Sequence, residues 1–163
     1  MSKQFWGFFG VGLVAVAGWA AMVWYGNVGS HLVLKGTILK VRAVAASNGG
    51  SLAVVDFRLK NPTNVLFVVK HVELTIDPPS GDVAKSYLIS KSDVSSVFDV
   101  HPAIGPRFHD VLSLQDKIPG GQTLDWMIAA TFELPPEAIE KRKGIHVHIE
   151  DLDGAEVDFT EGP

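Results

Sequence analysis

The chain has 163 residues, with 18 Asp and Glu against 14 Lys and Arg, and its formal net charge at pH 7 is −4. This mild acidity argues against a nucleic-acid-binding protein, because such proteins need clustered Lys and Arg to displace counterions. The sequence has no cysteine, which excludes disulfides, cysteine-ligated zinc and thiol catalysis.

An uncharged apolar run opens the chain and extends from Phe5 to Tyr25. A helix of this length can cross a bilayer core of about 30 Å. A cleaved signal peptide is the alternative, since Ala15-Val16-Ala17 fits the small-x-small cleavage pattern, but a signal core usually spans only about 7–15 residues. We therefore expect a retained single-pass anchor, a signal-anchor, in residues 1–27 and one β-sandwich domain in residues 28–163.

Four residues near the ends of this run are expected at the membrane interface: Trp6, Trp24, Tyr25 and Lys35. Aromatic rings favour the headgroup region, and Lys35 either contacts anionic lipid or lies on the solvated face of the first strand. Counting the bases that follow the run would place the domain in the cytoplasm, but long domains translocate largely regardless of charge. We expect the domain on the periplasmic side of the cytoplasmic membrane, and the opposite orientation stays open.

A stripe of mostly small residues lies on one face of the predicted helix. Gly7, Gly10, Val14, Ala17 and Ala21 recur at spacings of three and four, which places them on one helical stripe. Small residues let helices approach closely in a membrane, so the stripe predicts packing of Gly7, Gly10, Ala17 and Ala21 against a partner helix. The alternative is that Gly and Ala are simply common in transmembrane helices.

Turn signals divide the rest of the chain into short strand-like segments. The predicted strands cover residues 31–46, 51–60, 65–77, 83–89, 122–134, 145–149 and 155–159. Two short helices are predicted at 92–98 and 135–143, each with capping or dipole-compatible residues at its ends. About seven strands with regular turns predict a mainly β fold, an antiparallel immunoglobulin-like β-sandwich.

Alternation within two of these segments predicts which face is buried. In 51–60 the apolar set is Ala53, Val55, Phe57 and Leu59, and the set predicted to be largely solvated is Val54, Asp56, Arg58 and Lys60. In 122–134 the predicted core face is Trp126, Ile128, Ala130 and Phe132. A period of two is typical of a strand with one face on a core.

Two blocks of sequence resemble a known family. The first is Asp56–Asn64, with Asn61-Pro62 after a strand, and the second joins Ile118–Thr123 to Ala130–Pro135. They resemble the type 2 late-embryogenesis-abundant, or water-stress, β-sandwiches, and equally the immunoglobulin-like extracytoplasmic domains of bacterial lipoproteins. The resemblance implies a binding, protective or accessory module rather than an enzyme, and it supplies no site residues.

Few residues suggest site chemistry. His146 and His148 share one strand face with Glu150 and are weak candidates for a zinc or copper site, since alternating polar residues are also typical of a solvated strand face. Asp151–Gly154 begins like a calcium loop but lacks the following ligands, so a hairpin turn is expected. The serines near Asp93 have no nucleophile-elbow motif. We expect no enzyme, no metal and no cofactor.

These observations predict a non-catalytic accessory or scaffolding subunit. Its helix would dock among the partner subunits of a membrane complex, its β-sandwich would cover their extramembrane face, and the irregular segment Ser90–Gln115 would supply contacts. Expected partners are membrane lipid and membrane-protein subunits, not nucleic acid. The alternative is a stand-alone water-stress-type module that binds lipid, an apolar ligand or a client protein, which predicts a cavity between the two sheets.

Overall fold

The computed structural model describes residues 12–22, 34–46 and 49–161. The chain forms two compact units, Met1–His31 and Leu32–Pro163. In the first unit residues 12–22 form a helix, α1. Within the described ranges, no helix has both the length and the apolar character needed to cross a membrane. Residues 5–11 and 23–25 of the predicted span fall outside those ranges, and the transmembrane helix stays a prediction.

In the second unit, residues 34–46 and 49–161 form ten strands, two short α-helices and one turn of 3₁₀-helix, Pro102–Ile104. The strands are β1 Lys35–Ala45, β2 Ser51–Lys60, β3 Phe67–Asp77, β4 Ala84–Lys85, β5 Tyr87–Leu88, β6 Asp110–Val111, β7 Lys117–Ile118, β8 Thr123–Phe132, β9 Gly144–Asp151 and β10 Glu156–Glu161. The helices are α2 Val94–Val100 and α3 Pro136–Glu140.

The strands form two sheets, and the prediction of a mainly β fold is confirmed. Sheet 1 has the order β1-β2-β8-β5, with β6 pairing β8 in parallel, and sheet 2 has the order β10-β9-β3-β4, with β7 also pairing β3. The expected seven strands become ten for two reasons. The segment predicted at 83–89 is divided at Ser86 into β4 and β5, which join different sheets, and β6 and β7 are two-residue strands, too short for alternation to reveal.

A large apolar core lies between the two sheets. It contains the predicted inner face of β2 and, from β8, Ile128, Ala130 and Phe132, with Trp126 partly buried against it. Sheet 2 contributes alternate residues of β3, β9 and β10, including Leu74, Val147 and Phe159. The core faces predicted for β2 and β8 are therefore confirmed.

The outer face of β2 is also buried, which corrects the prediction that it is largely solvated. Val54 is 0% exposed and Asp56 is 1% exposed. The cause is the segment from α2 to β6, which crosses this face and forms a second apolar cluster on it. Besides Val54 that cluster contains Leu52, Val94, Ile104, Val111, Met127 and Ala129. Only the last part of β2 keeps solvated outer positions, at Arg58 and Lys60.

The two lateral edges of this unit differ. At one edge β1 and β10 contact each other, and a Cβ added to Gly36 would overlap the Phe159 ring. The Phe159 ring also packs on Phe57 of the opposite sheet, with 5.4 Å between ring centroids. At the other edge β3 belongs to sheet 2 and β5 to sheet 1. A groove lies there.

The Asn61-Pro62 motif has a structural role in the loop after β2. Asn61 is 0% exposed, and its amide donates to the carbonyls of Val65 at 2.8 Å and Ile118 at 3.0 Å. Its side-chain oxygen accepts from the Thr63 N–H and hydroxyl. All the polar atoms of this buried side chain are thereby paired, which holds the loop beside β7.

Candidate functional site

The edge groove is the cleft at the β3/β5 edge, with a volume of about 480 Å³. Its walls come from both sheets and from the chain on either side of α2 and β6. The residues that line it include His71, Val72, Leu88, Lys91, Leu112 and Leu114. This volume falls within the range of about 300–1,000 Å³ that is usual for ligand pockets.

The groove exists because the outer edge of β3 is only partly paired. Thr75 and Ile76 pair with β4, and Phe67 and Val68 pair with β7. In the second unit as described, no strand pairs with the stretch of β3 between those two contacts on this side. A cleft is left where a further strand would otherwise lie.

Backbone groups of both sheets face this cleft. The Leu74 carbonyl accepts from Ser86 N–H on the β4 side, and residues two apart in a strand direct their backbone groups to the same side. The N–H and C=O of Val72 therefore point into the edge groove. Ile89 N–H donates to Ala129 of β8, so the backbone groups of the preceding residue, Leu88, point away from β8 toward the same space.

The side chains of the groove are mainly apolar. Val72 and Leu112 are 5% exposed and form its floor, whereas Leu88 is 45% exposed and Leu114 is 62% exposed. Lys91 brings a cation to the rim, where its Nζ lies 3.7 Å from an Asp116 carboxylate oxygen. The arrangement suits binding of an apolar body that also carries hydrogen-bonding groups.

A second polar feature lies under the segment that covers sheet 1. Arg42 Nη2 donates to Asp56 Oδ2 at 2.8 Å, and Arg42 Nη1 donates to the carbonyls of Ile104 and Pro106. The guanidinium carbon lies 4.9 Å from the ring centroid of Phe108. His109 Nδ1 lies 3.0 Å from Asp56 Oδ1. The Arg42–Asp56 pair joins β1 to β2, and the other contacts tie the covering segment to one of these strands, which is a structural role.

Two partly exposed carboxylates have lowered pKa values. Arg58 donates to both oxygens of Asp125 at 2.6 and 2.8 Å, and these hydrogen bonds hold the pKa of Asp125 below its ordinary value. The hydrogen bond from Lys70 likewise lowers the pKa of Glu150. Both are surface ion pairs, and neither lines the edge groove.

The candidate histidines of β9 each contact a different carboxylate. His146 Nε2 lies 2.8 Å from Asp77 Oδ2, and His148 Nδ1 lies 2.7 Å from Asp158 Oδ1. His109 lies on sheet 1 beside Asp56, so it forms no common site with the pair on β9. A cluster of potential metal ligands does include His148, but with Glu156 and Asp158 rather than His146.

The remaining candidates take structural positions. Asp151 accepts from Val68 N–H at 2.6 Å and from Asp153 N–H at 3.2 Å in the turn between β9 and β10, which is the predicted hairpin. The Ser90 hydroxyl contacts Ser92 and Asp93. Lys35 is exposed at the first position of β1.

The predicted helix-packing and interface residues are only partly described. Ala17 and Ala21 are exposed residues of α1. Gly7, Gly10, Trp6, Trp24 and Tyr25 lie outside the described residues.

Sequence reasoning missed the edge groove and the Arg42–Asp56 pair. The pair left one usable signal, a carboxylate that directly follows the apolar run Leu52–Val55. The groove left none, because its residues come from three separate parts of the chain and only the tertiary fold brings them together.

Comparison with protein-family models and with curated proteins gives no match. Among solved structures, the chain is similar to a functionally unknown protein from Listeria monocytogenes EGD-e. The similarity covers 80% of this chain and 77% of that chain, with 12% sequence identity and a TM-score of 0.44. A likeness at this level carries no argument about fold or function.

Proposed function

We propose that this protein is a non-catalytic binding module, tethered to the cytoplasmic membrane by its N-terminal segment, that takes an apolar ligand in the edge groove. The groove itself is the observation that carries the proposal. It offers a buried apolar floor at Val72 and Leu112 and partly exposed apolar walls at Leu88 and Leu114. Concave, mainly apolar clefts with a few polar groups are the usual form of ligand sites.

The backbone groups that face the groove limit the kinds of ligand that can bind there. A plain hydrocarbon would bury the inward-facing N–H and C=O groups of Val72 and Leu88 without partners, which costs about 1–3 kcal/mol for each group left unpaired. A ligand that combines an apolar body with donors and acceptors avoids that cost. The proposal therefore favours an amphipathic molecule or an extended apolar peptide segment over an unsubstituted alkyl chain.

A fluorescence titration tests the proposal. N-phenyl-1-naphthylamine would be titrated into the fragment 28–163, whose folding is checked by circular dichroism, and into its Leu114→Glu and Leu88→Glu variants. We expect saturable binding to the parent fragment and at least about tenfold weaker binding to both variants, equivalent to about 1.4 kcal/mol. The control is Leu152→Glu, because Leu152 is 59% exposed in the β9–β10 turn and does not line the groove.

Equal probe binding by all four proteins would overturn the groove as the site. No saturable binding to the folded parent fragment would overturn the apolar-ligand proposal itself.

An accessory role in a membrane complex is the second candidate. The observation that favours it is the described part of α1, residues 12–22, which is uncharged and exposed throughout, with Trp19 at 70% and Met22 at 78%. A helix that is apolar all round requires lipid or protein around it. The small residues Ala17 and Ala21 would then face a partner helix, as the stripe predicts.

We further propose that the two sheets form an immunoglobulin-like sandwich related to the water-stress domains. The packed sheets and the Asn61-Pro62 turn are compatible with that assignment. Native purification from membranes addresses the accessory role, because a protein that migrates alone would contradict it.

A further inference from the structure

The outward face of sheet 2 carries a cluster of one histidine and two carboxylates. His148 lies on β9, and Glu156 and Asp158 lie on β10. Each residue can offer one ligand atom, and the three atoms lie within 4.8 Å of one another. His148 Nδ1 and Asp158 Oδ1 are 2.7 Å apart. The side chains of His148 and Asp158 are 30% and 74% exposed, so solvent reaches the cluster.

The register of the β9–β10 ladder produces this cluster. Asp158 is directly opposite His148, and Glu156 is opposite Glu150. Glu156 is therefore the diagonal neighbour of His148, at a distance that long side chains can span. Because β9 and β10 are both parts of a continuous antiparallel pair, the backbone fixes the relative positions of all three residues.

The charge around His148 is not balanced by protein cations. The neighbouring carboxylates of Glu150 and Glu73 pair with Lys70 at 2.5 Å and with Lys85 at 3.2 Å. Within residues 34–46 and 49–161, neither Glu156 nor Asp158 has a Lys or Arg partner. Like charges directly opposite in a ladder are destabilising, and Glu156 faces Glu150. A bound cation would relieve this repulsion.

We propose that His148, Glu156 and Asp158 form a binding site for a divalent transition-metal ion of the zinc class. An imidazole nitrogen with carboxylate oxygens is a common donor set for Zn²⁺, and three protein ligands leave a fourth position for water or a ligand group. Calcium prefers six to eight oxygen ligands, so the imidazole argues against it. His146 is outside the site, because it is not among the residues whose ligand atoms converge here. Its Nε2 instead lies 2.8 Å from Asp77 Oδ2.

Isothermal titration of ZnCl₂ into the detergent-solubilised, tag-free full chain tests the site. We expect one Zn²⁺ per chain. The His148→Ala and Asp158→Asn variants should bind Zn²⁺ at least about tenfold more weakly, because even residues that only support the ligands change metal affinity by about tenfold or more. The matched control is His146→Ala, two residues away on the same strand face, which should bind Zn²⁺ within about twofold of the parent chain.

A second readout is the thermal unfolding midpoint, which Zn²⁺ should raise in the parent chain and in His146→Ala but not in His148→Ala. Three outcomes would overturn the site: no stoichiometric Zn²⁺ binding to the parent chain, unchanged binding to His148→Ala, or an equal loss in His146→Ala. Equal affinity for Ca²⁺ and Zn²⁺ would overturn the role of the imidazole. Each variant alters an exposed or half-exposed side chain, and its unfolding midpoint without metal reports whether it is folded.

Discussion

The ion pair between Arg42 and Asp56 lies beneath a polypeptide cover, with side-chain exposures of 10% and 2%. Removing charges from water is costly, and the cost is offset only when the ions are close and their remaining hydrogen-bonding capacity is used. Here Arg42 Nη1 donates to two backbone carbonyls and the guanidinium packs on an aromatic ring, while Asp56 receives a second contact from His109. The buried Arg42 Nε has no partner among the described residues. The pair therefore fixes the segment that contains Ile104 and Pro106 against sheet 1.

We expect Arg42→Ala to destabilise the protein by about 3–5 kcal/mol, because it leaves the Asp56 carboxylate buried without its cation. The measurement is the free energy of unfolding from urea titration. The control is Arg58→Ala, which removes an Arg–Asp pair of similar geometry whose Arg side chain is 51% exposed. Exposed pairs contribute little to stability. A loss in Arg42→Ala no larger than that in Arg58→Ala would contradict the structural role given to the buried pair.

At the scale of elements, the long strands were predictable and the short ones were not. The segment 51–60 matches β2 because its apolar set, Ala53, Val55, Phe57 and Leu59, recurs with a period of two. The same alternation wrongly predicts that Asp56 is solvated, because a local pattern carries no information on which segments pack against the outer face of the sheet. The segment 83–89 was predicted as one strand, since nothing local marks the change of sheet at Ser86. The edge groove results from that change of sheet and from the partial pairing of β3. The sequence therefore does not predict the groove either.

The closed edge of the second unit depends on the absence of a side chain at Gly36. A methyl group there would overlap the Phe159 ring, which is 8% exposed and has little room to move. We expect Gly36→Ala to destabilise the protein by about 1–3 kcal/mol, the usual range for overpacking a core. Urea unfolding of Gly36→Ala, Phe159→Ala and the double variant measures the coupling. If the clash is the cause, the added methyl group has little effect once Phe159 is alanine. Additive losses would contradict it.

At the scale of the whole molecule, the described part of the second unit has four distinct surfaces. One face of sheet 1 is covered by the segment around α2, one lateral edge is closed by β1 and β10, and the other edge is open at the groove. The outward face of sheet 2 carries charged and histidine side chains. The edge groove lies at the open edge of this unit, and tethering the unit to a membrane would raise the local concentration of membrane-borne ligands.

The predicted membrane anchor can be tested by cell fractionation. The run from Phe5 to Tyr25 is uncharged, so after expression in a bacterial host we expect the full chain to sediment with membranes and to resist alkaline carbonate extraction. Residues 28–163 alone should stay in the supernatant. An intact mass that retains residue 1 or 2 supports an anchor, whereas a soluble product that begins at residue 18 would mean that the signal peptide is cleaved after Ala17. Protease added to spheroplasts should degrade the domain if it faces the periplasm, and protection in spheroplasts but not in lysed cells would place it in the cytoplasm.

Because the edge groove lies in that domain, the protease experiment also identifies the compartment from which the proposed ligand would come.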